Sequence, residues 1–278
     1  MVNRLFSLAC AAIVSCSIGS ASSADDYWLN DPITGCSVWN DEPTENTVVT
    51  WSGACSNGKA SGNGLLVWME NGSLVGTYEG DMQSGRFNGP GTLIVIAENA
   101  RGYDRISANF VDGLPSGFGT IVAQNGEKFE GHFTGGYQNG FGVMTDKQGN
   151  IYEGEFKDGK PDGQGFAKAA NGETYLGQFK TGAFDGEGML LHANNEFYMG
   201  SFSKGEASGL GRYEDNNGAV YQGKFVSGRP NGSGTYFAPD GTVLQGMFED
   251  QKPEGLILVT LPDGSQRTET WENGEKVQ

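Results

Sequence analysis

The stretch Tyr152-Glu153-Gly154-Glu155-Phe156-Lys157-Asp158-Gly159-Lys160-Pro161-Asp162-Gly163-Gln164-Gly165 decides the fold. Its opening residues alternate, which puts Tyr152, Gly154 and Phe156 on one face of a strand. Asp158-Gly159 has the chemistry of a tight hairpin turn, where positive φ is needed. Gly163 and Gly165 then stand two apart on a returning strand, a spacing that sets them on the same side. Glycine interrupts strands where backbones or rings approach closely. The segment therefore reads as strand, turn, strand.

The pattern recurs. Counting from the opening residue, the openers are Trp51, Tyr78, Ile106, Phe129, Tyr152, Tyr175, Tyr198, Tyr221 and Leu244. From Phe129 onward each step is 23 residues, and the two steps from Trp51 to Ile106 are 27 and 28. Two residues after the opener comes a small residue, Gly except at Ala108. Two further on come Cys55, Met82, Phe110, Phe133, Phe156, Phe179, Phe202, Phe225 and Phe248. The small residue leaves room for a ring over the backbone, so Tyr152, Phe156, Tyr175, Phe179, Tyr198, Phe202, Tyr221 and Phe225 are expected to form an aromatic ladder across the sheet. The connection between repeats is as regular, with Gly126, Gly149, Gly172, Gly218, Gly241 and Gly264 in one position. Asn195 takes that position once, and Asn is the non-Gly residue that best tolerates left-handed geometry.

These segments resemble MORN repeats, whose pattern is Tyr-x-Gly-x-Phe-x-x-Gly-x-x-x-Gly-x-Gly. The resemblance covers nine units between residues 48 and 266. It implies an all-β fold, an elongated single-layer antiparallel sheet of tandem hairpins with a groove. It also implies a scaffold or binding platform, sometimes at membranes and seldom an enzyme by itself. Eighteen strands at ~4.8 Å each would give a sheet roughly 85 Å long, twisted and curved rather than flat.

Composition agrees. The chain has 278 residues with 46 Gly, 37% hydrophobic and 11% aromatic residues, which fits neither collagen nor a disordered chain. The formal net charge of −16 argues against nucleic-acid phosphates and anionic lipid as partners. Arg4 is the only charge before Asp25, and an apolar run from Leu5 to Ile18 follows it. That run is too short to span a bilayer as a helix, and residues 1–24 read as a secretory signal peptide ending after Ala24. The protein is thus expected to be exported, to the periplasm or beyond. Ile13-Val14-Ser15-Cys16 loosely resembles a bacterial lipobox, so Cys16 is a candidate for lipidation; without it, membrane contact is not expected.

Removal of the signal leaves Cys36 and Cys55, expected to pair as a disulfide. Cys55 holds the ladder position that later repeats give to Phe. The bridge would tie a cap segment, residues 25–47, across the exposed first hairpin. Trp28, Trp39, Trp51 and Trp68 gather here, either as the core of that cap or as exposed platforms for sugar rings. At the other end, residues 267–278 form a half repeat in which Glu269 replaces the small residue, a stop signal with charge that discourages edge pairing.

No catalytic constellation, metal site or cofactor motif is found: His132 and His192 lie repeats apart, and no nucleophile elbow or Walker loop occurs. Asp215-Asn216-Asn217-Gly218 is a turn rather than a calcium loop, since the bidentate Glu is missing. Phe87, Tyr137 and Phe184 place rings at hairpin tips, where they are candidate partner contacts. The leading expectation is a non-enzymatic scaffold of the bacterial envelope that binds a protein or peptide along its groove. The alternative is a carbohydrate- or cell-wall-binding module; lipid association or hydrolysis follows behind.

Overall fold

The computed structural model describes residues 27–41, 46–96 and 102–277, all in strands, turns and bends. The expected signal peptide and Cys16 lie outside the described residues. The chain divides into two compact units, an N-terminal one reaching Lys147 and including residues 156–159, and a C-terminal one of residues 148–155 and 160–278. Each is an open, single-layer antiparallel sheet of successive hairpins.

In the C-terminal unit the hairpins repeat almost without change. Thr174–Lys180 pairs with Ala183–Leu191, which pairs with Phe197–Ser203, and so on to Gln266–Glu272. Burial alternates along Thr174–Lys180, with Tyr175, Gly177 and Phe179 inward, as the period of two requires. The tip is a type I′ turn: Thr181 and Gly182 both have positive φ, 49° and 87°, and this turn matches the twist of the flanking strands. The connections to the next repeat are three-residue turns. Gly172 N–H donates to Ala169 O, and Asn195, at φ 69°, does the same to His192 O. Asn195 thus performs the glycine's conformational role.

The returning strand differs from the simple alternation. Gly177 faces Gly188 while Phe179 faces Phe184, so the register shifts by a bulge between them. At the equivalent place in the preceding hairpin, Gly163 sits at φ 113° and its missing Cβ would meet Glu155, whereas a Cβ on Gly165 would lie 2.6 Å from Cε2 of the Tyr152 ring. The two glycines therefore face opposite sides. The extra residues of the bulge re-aim the first of them, which corrects the expectation from spacing.

The ring over the backbone belongs to the opener of the same repeat. Tyr152 covers Gly154 and Gly165, and its hydroxyl donates to Glu155 O at 2.8 Å. Tyr78, Tyr175, Tyr198 and Tyr221 donate likewise, each to the carbonyl three residues on. That carbonyl lies where the bulge interrupts the strand ladder and would otherwise lack a partner. Each of these tyrosines also meets the Phe of the next repeat edge-on, as in Tyr175–Phe202 and Tyr198–Phe225 at 5.1 and 4.9 Å between centroids. Such contacts add about 1 kcal/mol each beyond burial.

The N-terminal unit uses longer strands at its start. Lys59–Glu70, Ser73–Gln83 and Arg86–Ile96 have 12, 11 and 11 residues, which absorbs the longer repeat steps. The Asn71-Gly72 turn between the first two has positive φ at both residues. The cap is a short hairpin, Trp28–Asn30 with Ser37–Trp39. It docks on the hairpin tips: Ser37 N–H donates to Gly58 O, and Trp39 N–H to Gly85 O. A disulfide joins Cys36 to Cys55, as expected, and fits an oxidising, non-cytoplasmic compartment.

At the C-terminal edge Glu269 is buried, and accepts hydrogen bonds from Lys276 Nζ at 2.8 Å and Arg267 Nε at 2.5 Å. The lysine contact is the main cause holding its carboxyl below the usual range, against the opposing effect of burial, with Arg267 adding to it. A carboxyl depressed in the folded state stabilises above its unfolded value of 4.5, and that contribution is lost as pH falls through the folded value. Glu269→Gln should therefore cost about 1–2 kcal/mol at neutral pH. This is less than for a fully buried pair because both cations are half in solvent. Urea melts of the two proteins should converge toward low pH; equal stability at pH 7 would refute the role.

Candidate binding groove

The ladder face of the C-terminal unit holds a cavity of about 550 Å³ around the Tyr198 and Tyr221 repeats. Its floor is the ladder itself, with Tyr198, Phe202 and Phe225. One wall comes from the inter-repeat connections, with Glu173, His192 and Glu196. The opposite wall comes from hairpin tips, with Arg229, Pro230 and Gln251.

Polarity changes between neighbouring repeats in this region. The position of Ala169 and Ala238 becomes His192 and Asp215 in the two repeats between, and the position of Ala167 and Leu190 becomes Tyr213. His192 Nδ1 lies 2.8 Å from Glu173 Oε1, both half-shielded from solvent. Asn171 Nδ2 donates to the other oxygen of Glu173, so that carboxylate is held rigidly. Tyr213 hydrogen-bonds to Glu196, and its phenol is pushed up by burial first, then by that bond and by the charges of Glu196 and Asp215. Burial, with the charge of Glu187, also raises Tyr198, to about 12. Both phenols are therefore neutral at physiological pH and act as hydrogen-bond donors. Asp215 Oδ1 accepts from the backbone of Asn217 and Ala219, which is turn chemistry as expected.

The expected ladder residues occupy the inward face in both units. Tyr152, Tyr175, Phe179, Tyr198, Phe202, Tyr221 and Phe225 belong to the C-terminal unit, and Phe156 packs against Phe129 in the N-terminal one at 5.1 Å. Two of the three tip rings are corrected. Phe184 is 6% exposed and stacks on Tyr175 at 3.7 Å; Phe87, half-buried, stacks on Tyr78 at 3.9 Å. They sit opposite the fourth-position residues Phe179 and Met82, so they point into the ladder. Other repeats fill that position with Pro or Ala, such as Pro161 and Ala207, and once with Gln138. Tyr137 is exposed.

The tryptophans divide between the cap, with Trp28 and Trp39, and the first repeats, with Trp51 and Trp68. Trp51 is buried, with Nε1 donating to Ala54 O, and Trp68 meets Phe87 edge-on. Trp39 stacks on Tyr27 and lies under Arg86, while Lys59 covers Trp28. His132, by contrast, is exposed on the opposite face beside Phe118.

The class is thus defined by hairpin repeats, each with its opening ring clamped over two glycines and the rings together forming a groove floor. The family model described as "MORN repeat" matches residues 78–94, 107–128, 129–151, 152–174, 198–220 and 221–243. The chain is a MORN-repeat protein. MORN repeats serve protein and membrane interactions, as repeat scaffolds. Residues 175–197 fall outside the matched segments although they form the same hairpin, and it is this repeat that supplies Phe184 and His192. No curated protein matches the chain. Among solved structures, one described as "Streptogramin B lyase structure" is similar over 84% of this chain and 90% of its own. Identity there is 10% and the TM-score 0.15, a likeness that carries no argument. Among the described residues no helix is long and apolar enough to cross a membrane.

Proposed function

We propose that this protein is a non-enzymatic interaction scaffold of the bacterial envelope, holding a protein or peptide segment along the ladder face of its C-terminal unit. The observation that carries the reading is the groove. It joins an aromatic floor to a few fixed polar groups, Glu173, His192, Glu196 and Tyr213, contributed by successive repeats. Concave sites of this size with few convergent polar groups are where ligands bind. Export is supported by the apolar leader read from the sequence and by the disulfide. The carbohydrate alternative draws less support, because Trp28 and Trp39 already carry Lys59 and Arg86 on their rings.

Affinity capture from envelope fractions, with crosslinking mass spectrometry, tests this. A specific protein should be captured, with crosslinks at the groove walls. Tyr213→Ala should weaken that capture by about thirtyfold, the loss typical of an interface anchor. Tyr137→Ala, at an exposed tip of the other unit, should leave it within about twofold, as a peripheral contact would. No specific partner, or a partner indifferent to Tyr213, would overturn the assignment.

A further inference from the structure

The face opposite the ladder carries, in the C-terminal unit, apolar side chains set directly across from one another. Phe166 pairs with Leu176, Leu176 with Met189, and Met189 with Met199. All four are exposed, by 36–51%, and Leu210 on the next strand is 72% exposed. In the neighbouring C-terminal repeats the same positions turn polar at Glu153, Gln222 and Thr235, and single apolar residues such as Leu65 and Val143 hold them in the N-terminal unit. Single exposed apolar residues are ordinary, but a contiguous row marks an interaction surface.

The charges around the row are arranged in order. Glu155, beside Gly163, stands on the strand Ile151–Lys157. Arg212 is set across from Met199, and Lys224 across from Leu210. The strand Ala183–Leu191 is the midpoint: three strands to one side is that of Glu155, and three to the other is Val220–Val226, with Lys224. Acid on one flank and base on the other, at equal distances from the centre, is a self-complementary pattern.

We propose that a second copy of this chain packs on this face, about a two-fold axis running along Ala183–Leu191. That symmetry sets Met189 against Met189 of the second copy and Leu176 against its Met199. It sets Phe166 against the second copy's Arg212, a cation–ring contact, and Glu155 against the second copy's Lys224. Each contact occurs twice, as an isologous interface requires. Sheets packed face to face in this way keep their strands within about 30°. Glu187, exposed on the central strand, faces its own copy and limits the affinity. The ladder groove lies on the other face, so the dimer presents two grooves outward and can bind a repeated partner bivalently.

Sedimentation equilibrium of the oxidised full chain tests the proposal. Because Glu187 of each copy faces the other, a dimer with a Kd roughly in the micromolar range is expected. Met189→Lys should leave only monomer. Glu155→Lys and Lys224→Glu should each weaken the dimer by about tenfold, since each pair is used twice, and the double swap should restore it. Glu187→Gln should tighten it. All four positions are on the exposed face, and circular dichroism will show each variant folded. A monomer at every concentration would overturn the proposal, as would a dimer that survives Met189→Lys or a swap that fails to restore it. A different protein captured on this face by a strictly monomeric chain would overturn it too.

Discussion

Gly188→Val is expected to destabilise the C-terminal unit by more than about 4 kcal/mol, among the largest effects of any single substitution in the chain. The reason is steric. Gly188 has no positive φ, yet a Cβ there would stand 2.6 Å from Cε2 and Cζ of Tyr175. Tyr175 cannot retreat, because its ring is stacked on Phe184 and wedged between Phe179 and Phe202. Its hydroxyl is also fixed on Gln178 O. A branched side chain must therefore expel the ring from the ladder and open the bulge beneath it. Gly205→Ala is the control. That glycine has φ 88° and nothing within 4 Å of a Cβ, so only backbone strain is added, about 1 kcal/mol. Urea denaturation separates the two, and equal costs would mean that the ring does not lie on the backbone. Because each repeat touches only its neighbours, loss of amide protection in Gly188→Val should spread outward from the Tyr175 hairpin.

The contrast between those glycines shows what was legible in the sequence. The alternation of opener, small residue and Phe fixed the inward face, because a period of two leaves no other choice. The tip turns were legible because Asp158-Gly159 and its equivalents need positive φ. The opposite facings of Gly163 and Gly165 were not. The glycine of the bulge recurs in every repeat, as Gly163 does here with positive φ, but in the sequence it looks like any other strand glycine, so counting by twos carried the wrong side across it. The same shift hid Phe87 and Phe184. They looked like tip residues, but the tight turn ends early enough to place them on the ladder, opposite Met82 and Phe179. Their equivalence to Pro161 and Ala207 was the available signal.

The groove was less legible. Glu173 and His192 lie 19 residues apart, in successive connections, and meet only because the repeats stack. A change between neighbours was visible, since His192 and Asp215 stand between Ala169 and Ala238 in one position, which Asp146 and Leu261 also share. What the sequence could not supply was the third dimension, in which Tyr213 and Glu196 close the same wall. The spine of tip hydrogen bonds was also unread. In it Gly182 N–H donates to Pro161 O, Gly205 N–H to Phe184 O and Gly228 N–H to Ala207 O. It needs only backbone, so no side chain announces it beyond the turn glycine.

Asp31→Asn is expected to cost about 2–3 kcal/mol at neutral pH and to detach the N-terminal cap. Asp31 is buried where the connecting loop of the cap hairpin begins. One carboxylate oxygen accepts from Ile33 and Thr34 N–H, and the other from Thr34 Oγ1 and, at 3.0 Å, from Trp51 N–H on the first repeat. Burial alone would raise its pKa. The bonds from Trp51, Ile33 and Thr34 outweigh burial and hold it at about 2. The folded value is depressed, so the charge stabilises fully above the unfolded value of 3.8 and is lost as pH falls toward 2. The stability gap between wild type and Asp31→Asn should thus be flat above pH 4 to 5 and shrink below it; a gap that widens on acidification would refute the account. The disulfide acts on the same hairpin. Cys36 and Cys55 are 19 residues apart, and a loop of that size is worth about 3 kcal/mol. The paired change Cys36→Ser with Cys55→Ser should therefore be strongly destabilising, and combining it with Asp31→Asn should cost less than the sum. Once either tie is lost the cap is already loose, and coupled sites are not additive. Amide exchange at Trp51, whose N–H is bonded to Asp31, reports the event directly: it should rise in each variant and no further in the combination.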